Sequence, residues 1–447
     1  MRGRPGRWVN AFLAAICCTA AVVHAQPTAV LFENVRIFDG KASSLSAPSN
    51  VLVQGHRIDE ISTAPISVDG GADVTVIRAG GRVLMPGLID AHAHLAMTTI
   101  SQVTLATGHP NYGVLRAIPD AMDMLMRGVT SVRDAGGPVF GLKRMIDEGR
   151  IPGPRIWPSG ALISQTAGHG DFRTLYDLPR ADGDIHASER YGYAAIADGE
   201  AEVLRRVREQ LMRGASQIKL MAGGGVSSVY DPIDVSQYTE AEIRAAVAAA
   251  SAWGTYVMVH AYTADAVQTA IRAGVKSIEH GQLIDEETIE MMVEHDVWLS
   301  IQPFLGDPDP RFPEGSPSRL KQLQVAKGTE RTIQLAKQHG VRLAWGVDVL
   351  FNAQKAAAQT QQLAVMSRWF SPDEVLKMAT SVNAELLAMS GPRNPYPGKL
   401  GVVEEGALAD LLLVDGDPLA DIQLIADPGK NFLVIMKNGK IHKNTLK

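Results

Sequence analysis

Short apolar runs alternate with amphipathic stretches through the middle of the chain. The runs are GLIDAHAHL, TSVRDAG, RIWPSG, QIKLMA, YVMVHAYT, SIEHG, WLSIQPF and LAWGVD. Most are almost continuously apolar, which is typical of strands buried on both faces of a parallel sheet. The stretches between them have helical periodicity, as Val203, Leu204, Val207 and Leu211 show in AEVLRRVREQLMRG. Eight strands alternating with helices predict an α/β fold containing a (β/α)8 TIM barrel.

Segments of β type flank this alternating region on both sides. Before it lie VLFENVRIFDG, NVLVQGHRIDEIS and DVTVIRAGGRVLMPG, which are strand-like runs broken by Gly, Asp and Asn. After it lie ADLLLVDGDP and NFLVIMKNGKI, in which Asn438-Gly439 is a hairpin-turn signal. We therefore expect residues 26–85 and 396–447 to form one small β-sandwich domain from both chain ends. The barrel would span residues 86–395.

The first 25 residues have the pattern of a secretory signal peptide. Three arginines precede the apolar stretch WVNAFLAAICCTAAVV, and Ala25 ends a small-residue cleavage site before Gln26. The apolar stretch is shorter than the ~20 residues that cross a bilayer, which disfavours a membrane anchor. We therefore expect residues 1–25 to be removed, leaving a mature protein without a membrane segment.

Cysteine content and charge indicate the compartment and the partners. Both cysteines, Cys17 and Cys18, lie in the predicted signal peptide, so the mature protein would have neither disulfides nor thiolate chemistry. Export without disulfides suits a bacterial periplasmic protein. The chain has 43 Lys and Arg against 48 Asp and Glu, and removal of the three N-terminal arginines makes it more acidic. An acidic protein without a basic cluster is not expected to bind nucleic acid.

Polar side chains stand at the carboxyl ends of the predicted barrel strands, where barrel active sites are built. His92 and His94 are two residues apart on an extended strand, so their side chains point the same way and can bind one metal ion. The other strand ends carry Lys219, His260, His280 and Asp348. This concentration of ligand-type side chains at one edge predicts a metal site.

Each of these residues has a structural alternative when it is taken alone. A single histidine at a strand end is more often a hydrogen-bonded structural residue. Asp348 can cap the following segment, and Lys219 can extend its ammonium group to water. The His-x-His pair is more specific, and the whole set at successive strand ends has few structural explanations.

The mature chain resembles the amidohydrolase superfamily over nearly its whole length. GLIDAHAHL is similar to the metal motif on the family's first barrel strand, and GVVEEGALADLLLVDGDPL is similar to the segment that leaves the barrel. A closer resemblance, to the imidazolonepropionase-like and Xaa-Pro dipeptidase branch, is carried by SQTAGHGD, IKLMAGGGVSS and HAYT. Branch members with a lysine at the position of Lys219 are binuclear zinc hydrolases of peptide and amide bonds, some of which open the amide of ochratoxin.

This resemblance implies a site for two divalent metal ions. The implied ligands are His92, His94 and Asp348 for one ion and His260 and His280 for the other, with a carbamate on Lys219 between them. Imidazole and carboxylate ligands favour Zn²⁺, with Mn²⁺, Co²⁺ and Fe²⁺ as alternatives. The ions would make a water nucleophilic near neutral pH. Asp348 would accept the proton of that water and pass it to the leaving nitrogen.

Two further residues are candidates for stabilising the oxyanion that forms from the substrate carbonyl. Tyr262 lies two residues after His260, so an extended strand would point both side chains to the same side. His169 belongs to a stretch whose family counterparts approach the substrate. The alternatives are a packed aromatic ring for Tyr262 and a polar surface loop for His169.

Other polar motifs have structural interpretations. Residues 159–199 show no clear periodicity and are expected to form a long loop, a feature that is more often functional than idle. Gly223-Gly224-Gly225 lacks the Lys-Ser/Thr of a phosphate-binding loop, so a bend in a barrel loop is favoured. The histidines without a spacing that connects them to the strand ends are His56, His109, His186, His295, His339 and His442.

These features predict an exported amidohydrolase that cleaves an amide or peptide bond in a small substrate, such as a dipeptide, an N-acyl amino acid or an ochratoxin-like amide. One alternative is a cyclic-amide hydrolase of the imidazolonepropionase type, which Lys219 disfavours because that group resembles a mononuclear site. Another is a metal-storing or ligand-binding barrel, which Asp348 disfavours because storage needs no proton transfer. Relatives commonly assemble, so we also expect a homo-oligomer.

Overall fold

The computed structural model describes residues 29–68, 74–179 and 183–446. The predicted signal peptide, residues 1–25, therefore lies outside the described residues. Within the three described ranges, no helix combines the length and the apolar character that a membrane crossing requires.

Strands and helices alternate through most of the described chain. The strands are Ala29–Ile37 (β1), Ser49–Gln54 (β2), Arg57–Ser62 (β3), Val74–Arg78 (β4), Val83–Pro86 (β5), Leu88–Ala93 (β6), Val129–Asp134 (β7), Arg155–Pro158 (β8), Leu162–Ser164 (β9), Ala194–Ile196 (β10), Ile218–Met221 (β11), Val257–Thr263 (β12), Ser277–Leu283 (β13), Trp298–Ile301 (β14), Leu343–Trp345 (β15), Leu411–Val414 (β16), Phe432–Lys437 (β17) and Lys440–Asn444 (β18). The helices are Gln102–Thr107 (α1), Tyr112–Met126 (α2), Phe140–Asp147 (α3), Ala187–Arg190 (α4), Glu200–Arg213 (α5), Glu240–Ala252 (α6), Ala264–Arg272 (α7), Glu286–Glu294 (α8), Pro317–His339 (α9), Ala353–Ala357 (α10), Gln359–Val365 (α11), Pro372–Lys377 (α12), Asn383–Ala388 (α13), Gln423–Ala426 (α14) and Pro428–Asn431 (α15).

The eight predicted barrel strands are present as β6, β7, β8, β11, β12, β13, β14 and β15. Parallel pairing joins β6 to β7 and β7 to β8, and it joins β11 through β15 in chain order. These strands are buried almost throughout, because the helices between them cover the outside of the sheet. The α5 helix buries Val203, Val207 and Leu211, as its periodicity predicts. The chain therefore has an α/β fold that contains a TIM barrel.

The barrel closes where the last strand, β15, meets the first, β6. The backbone N–H of Asp348 donates to the carbonyl of His92 at 2.9 Å, and the Asn383 side-chain amide donates to the carbonyls of both Ile89 and Trp345. Gly346 permits this approach, since a Cβ there would lie 2.5 Å from the Cβ of His92. Closure thus brings His92 and Asp348 together, although 255 positions separate them in the sequence.

The long segment from 159 to 199, expected to form a long loop without clear periodicity, contains short regular elements. It includes β9, which pairs with β11 and with β10, and the short helix α4. The apolar runs of β9 and β10 are only three residues each, too short to show a period of two. His169 lies five residues after the end of β9 and lines the cavity.

Strands from both chain ends pair in one further sheet. Its order is β18-β17-β16-β5-β1-β2-β3, with β4 beside β1, and the antiparallel pairing of β16 with β5 joins the two chain ends. The predicted hairpin turn is present between β17 and β18, where Asn438 and Gly439 have φ of 55° and 73°. The sandwich arrangement of this sheet and the domain limits at residues 85 and 395 stay predictions.

Candidate active site

The residues predicted from the sequence to form the site line one cavity at the carboxyl ends of the barrel strands. The cavity has a volume of about 890 Å³, and its wall includes His92, His94, His169, Lys219, His260, Tyr262, His280 and Asp348. The structure therefore brings together every predicted site residue. The strands hold them at this edge because all eight strands run in the same direction around the barrel.

His92, His94 and Asp348 form the tightest group. The Nε2 atoms of both histidines lie 3.3 Å from Asp348 Oδ1, and the potential ligand atoms of all three residues lie within 4.8 Å of one another. Asp348 has a φ of 49°, in the left-handed region that few residues other than glycine adopt. Such backbone strain concentrates at functional sites, because the surrounding structure must hold it in place.

Hydrogen bonds set the orientation of these two imidazole rings. His92 Nδ1 lies 2.8 Å from Glu279 Oε2, and His94 Nδ1 lies 3.1 Å from the carbonyl oxygen of Gly136. Both partners are acceptors, so in each neutral ring the proton is on Nδ1 and the lone pair is on Nε2. The Nε2 lone pairs of both rings therefore face Asp348. Metal-binding histidines have the same arrangement: one nitrogen binds the metal while the N–H of the other donates to an acceptor.

His260 and His280 show the same division of their ring nitrogens. His260 Nε2 lies 3.1 Å from the carbonyl oxygen of Gly224, and His280 Nδ1 lies 2.7 Å from Gln302 Oε1. Among the described residues, the second nitrogen of each ring has no such acceptor, and the two ring centres are 4.5 Å apart. Burial lowers the pKa of His280 to about 3, and it also lowers that of His260 well below the usual range. Both rings are therefore neutral at pH 7, as metal ligation requires.

Lys219 lies between the two histidine groups. It is 1% exposed, and its Nζ is 3.3 Å from His92 Nε2. Within the described ranges it forms no salt bridge, which is unusual for a buried ammonium group. Burial lowers the pKa of Lys219 to about 8, although the carboxylates of Glu279 and Asp348 act in the opposite direction. A minor neutral fraction, larger than that of an ordinary lysine, is therefore available near neutral pH.

Two buried charges beneath the site were not predicted from the sequence. The carboxylate of Glu279 accepts hydrogen bonds from Arg133 Nη2 at 2.7 and 2.8 Å and from Ser277 Oγ at 2.6 Å, as well as contacting His92. Burial opposes the ionisation of Glu279, but the charge of Arg133, the contact with His92 and the charge of Lys219 together outweigh it and hold the pKa of the carboxyl well below its usual range. The available signal was one acidic and one basic residue inside apolar strand runs, where unpaired charges are rarely tolerated.

His169 and Tyr262 lie against the second histidine group. The ring of His169 stacks on that of His260 with centres 4.1 Å apart, and the Tyr262 ring is 4.9 Å from His260 and 5.1 Å from His280. Burial raises the pKa of the Tyr262 hydroxyl, so it remains a hydrogen-bond donor at pH 7. Both residues are in position to contact a substrate bound in the cavity.

Two histidines without a sequence link to the site also line the cavity. His109 and His186 contribute to its wall, and each side chain also accepts a hydrogen bond from the backbone N–H two residues further on, so their structural interpretation stays a prediction. Their positions in the sequence did not predict a place in the cavity wall, because each lies outside the strands, many residues from the nearest barrel strand. Much of the remaining wall is apolar and includes Phe172, Phe304 and Phe312, as is usual for small-molecule sites.

Comparison with known proteins agrees with this geometry. The amidohydrolase family model matches residues 83–442. Ochratoxinase from Aspergillus niger is 34% identical over 377 residues, which cover 81% of this chain and 76% of that protein. The crystal structure of a prolidase complexed with N-methylphosphonate-L-proline has a TM-score of 0.82 at 34% identity and covers 93% of this chain and all of that one.

A Xaa-Pro dipeptidase with bound methionine in its active site is similar as well. Its structure has a TM-score of 0.79 at 29% identity and covers 93% of this chain and all of that one. The resemblance seen in the sequence motifs is therefore confirmed. The chain belongs to the amidohydrolase family, in the branch of Xaa-Pro dipeptidases and ochratoxinase, and is a hydrolase acting on carbon–nitrogen bonds.

Proposed function

We propose that this protein uses two divalent metal ions, zinc by preference, to hydrolyse an amide or peptide bond in a small substrate. The observation that carries the proposal is the orientation of the four histidines. Each has one ring nitrogen held by an acceptor, and the lone pair of the other nitrogen would bind the metal.

In this proposal the donor set is divided between two ions. The proposed ligands would be His92, His94 and Asp348 for one ion and His260 and His280 for the other. Neutral Lys219 would add to CO₂ and lose a proton, and both ions would share the resulting carbamate. Lys219 supports this assignment because it is buried next to His92 without a salt-bridge partner among the described residues. When bound, the ions would supply an activated water and would polarise the scissile carbonyl.

The protein residues would carry out the proton transfers and hold the substrate. Asp348, whose side chain is 22% exposed to the cavity, would take the proton of the attacking water and deliver it to the leaving nitrogen. Tyr262 and His169 would donate hydrogen bonds to the substrate oxygen as it becomes negative. The apolar wall would limit access of bulk water.

The cavity volume and the relatives support a small amide or dipeptide substrate. A volume of about 890 Å³ is near the upper end of the range usual for small-molecule sites, ~300–1,000 Å³. The similar proteins include an ochratoxinase, a prolidase and a Xaa-Pro dipeptidase. We therefore propose dipeptides, N-acyl amino acids and ochratoxin-like amides as the substrate class.

A library screen tests this proposal. Zinc-loaded protein would be incubated with dipeptides, N-acyl amino acids, aromatic N-acyl amino acids and cyclic amides, and released products would be measured by mass spectrometry. We expect hydrolysis of linear amides that is absent in the matched variant Asp348→Asn. Turnover of cyclic amides alone would favour the imidazolonepropionase alternative, and equal product from Asp348→Asn would refute the proposed role of this site.

We also propose export to a bacterial periplasm and assembly into a homo-oligomer. The basis for export is the signal-like pattern that ends at Ala25. N-terminal sequencing of protein from the periplasmic fraction should give Gln26 as the first residue, and a start at Met1 would contradict the proposal. Light scattering of the mature protein would give the number of subunits.

A further inference from the structure

Lys321, on the helix α9, binds a loop that lies over the candidate site. Its ammonium group donates to the backbone carbonyls of Gly225, Ser228 and Asp231, at 3.0, 3.0 and 2.6 Å. An ammonium group has three hydrogens to donate and no acceptor, so these three carbonyls use its whole capacity. A single side chain thereby fastens both ends and the middle of residues 225–231, which we name the 225–231 loop.

The same loop holds the imidazole of His169. Ser228 Oγ hydrogen-bonds to His169 Nδ1 at 2.7 Å, and Asp231 Oδ2 lies 3.6 Å from the same nitrogen. Gly225 leaves room for the ring, since a Cβ at this position would lie 1.8 Å from His169 Nδ1. The ring is thus enclosed between the backbone of Gly225 and the stacked ring of His260.

Asp231 connects the two sets of contacts. Its backbone carbonyl binds Lys321, while its carboxylate accepts from the Gly225 backbone N–H at 2.8 Å and from the side-chain amide of Gln237 at 3.3 Å. Gln237 also accepts from the backbone N–H of His169 at 2.9 Å. The position of His169 therefore depends on the loop at its ring and at its backbone.

We infer that Lys321 is a positioning residue for His169: it fixes the 225–231 loop, and the loop fixes the imidazole through Ser228 and Asp231. In the described part of the chain Lys321 is not itself a lining residue of the cavity, although Ser228 and Asp231, which it holds, are, so its effect on catalysis would be indirect. The catalytic part of the inference rests on the proposed function, in which His169 contacts the substrate. Misplacement of such a group by about 1 Å can cost ~10²-fold in rate.

Four variants test the inference: Lys321→Met, His169→Asn, the double variant, and Lys327→Met as the matched control. Lys327 is an exposed lysine of the same helix. We expect Lys321→Met to lower kcat by ~10–10²-fold while metal content stays at the wild-type value. In the His169→Asn background the same substitution should have almost no further effect, because residues that act through one another are not additive.

Hydrogen exchange provides a measurement that needs no substrate. Backbone amides of the 225–231 loop should exchange at least several-fold faster in Lys321→Met than in Lys327→Met, because the carbonyl contacts that order the loop are lost. If no amide is hydrolysed by the wild type, the proposed function fails, and unchanged exchange in the loop would separately overturn the positioning role. The positioning role would also be overturned if Lys321→Met lowered kcat by the same factor in the wild type and in His169→Asn. Should Lys321→Met not fold, Lys321→Gln takes its place, since it retains an amide donor.

Discussion

Glu279 offers a demanding test, because one buried carboxylate supports both the fold and a proposed metal ligand. It is completely buried and accepts hydrogen bonds from Arg133, Ser277 and His92. The substitution Glu279→Gln keeps the size of the side chain but removes its charge. The carboxylate accepts with two oxygens, whereas the amide accepts with one. Its NH₂ group would face groups that are themselves donors.

The expected loss of stability follows from the guanidinium group of Arg133, which is also fully buried. Removal of one partner of a buried ion pair typically costs ~3–5 kcal/mol, because the other charge is left uncompensated. The hydrogen bonds of Arg133 to the carbonyl of Ala91 and to the hydroxyls of Tyr256 and Ser277 remain. We therefore expect the free energy of unfolding to fall by ~3 kcal/mol, at the lower end of this range.

The expected effect on the metal comes from His92. Loss of the carboxylate removes the acceptor that keeps the proton on His92 Nδ1. Substitution of a residue that orients a metal-bound histidine typically costs ~10–10²-fold in metal affinity. We expect the zinc dissociation constant of Glu279→Gln to rise by this factor.

Chemical denaturation and competition with a zinc-binding dye measure the two effects separately. Glu287→Gln is the matched control, because Glu287 is an exposed glutamate in the following helix. If Glu279→Gln kept both the stability and the zinc affinity of this control, the argument that Glu279 compensates Arg133 and orients His92 would be wrong.

Three further predictions concern the site itself. Lys219→Ala should retain less than two metal ions per chain by elemental analysis and lose most activity, and short carboxylic acids should restore part of it; two bound ions with normal turnover would refute the bridge. Asp348→Asn should fold, as measured by circular dichroism, but lose ~10²–10⁴-fold in kcat, and a loss below tenfold would place the proton transfer elsewhere. Tyr262→Phe and His169→Asn should each lose ~10²–10³-fold in kcat at unchanged metal content. A change in KM alone would show that the residue binds substrate and transition state equally.

Local patterns were sufficient to predict the barrel and the residues around its cavity. The apolar runs and the helical periods are properties of neighbouring positions, so they identify strands and helices without knowledge of the fold. Once eight parallel strands are placed in a barrel, their carboxyl ends all lie at the same end of it. This is why His92 and Asp348 could be assigned to one place despite their distance in the sequence.

The contacts that could not be predicted depend on segments of irregular conformation. The sequence around Lys321 and Asp231 does not indicate that α9 packs beside the 225–231 loop. His109 and His186 reach the cavity through turns that lack periodicity. Arg133 and Glu279 were detectable as charges inside apolar strands, but only the barrel geometry shows that they pair with each other and with His92.

The measurement that tests the central proposal most directly is a zinc titration of metal-free protein, followed through the rate of amide hydrolysis. Chelator-treated protein would receive increasing equivalents of Zn²⁺ in the presence of bicarbonate, on a substrate found in the library screen. The six proposed ligands predict that the rate rises until two ions per chain are bound and then stays constant. A plateau at one ion per chain, or full activity in the metal-free protein, would contradict the proposed binuclear site.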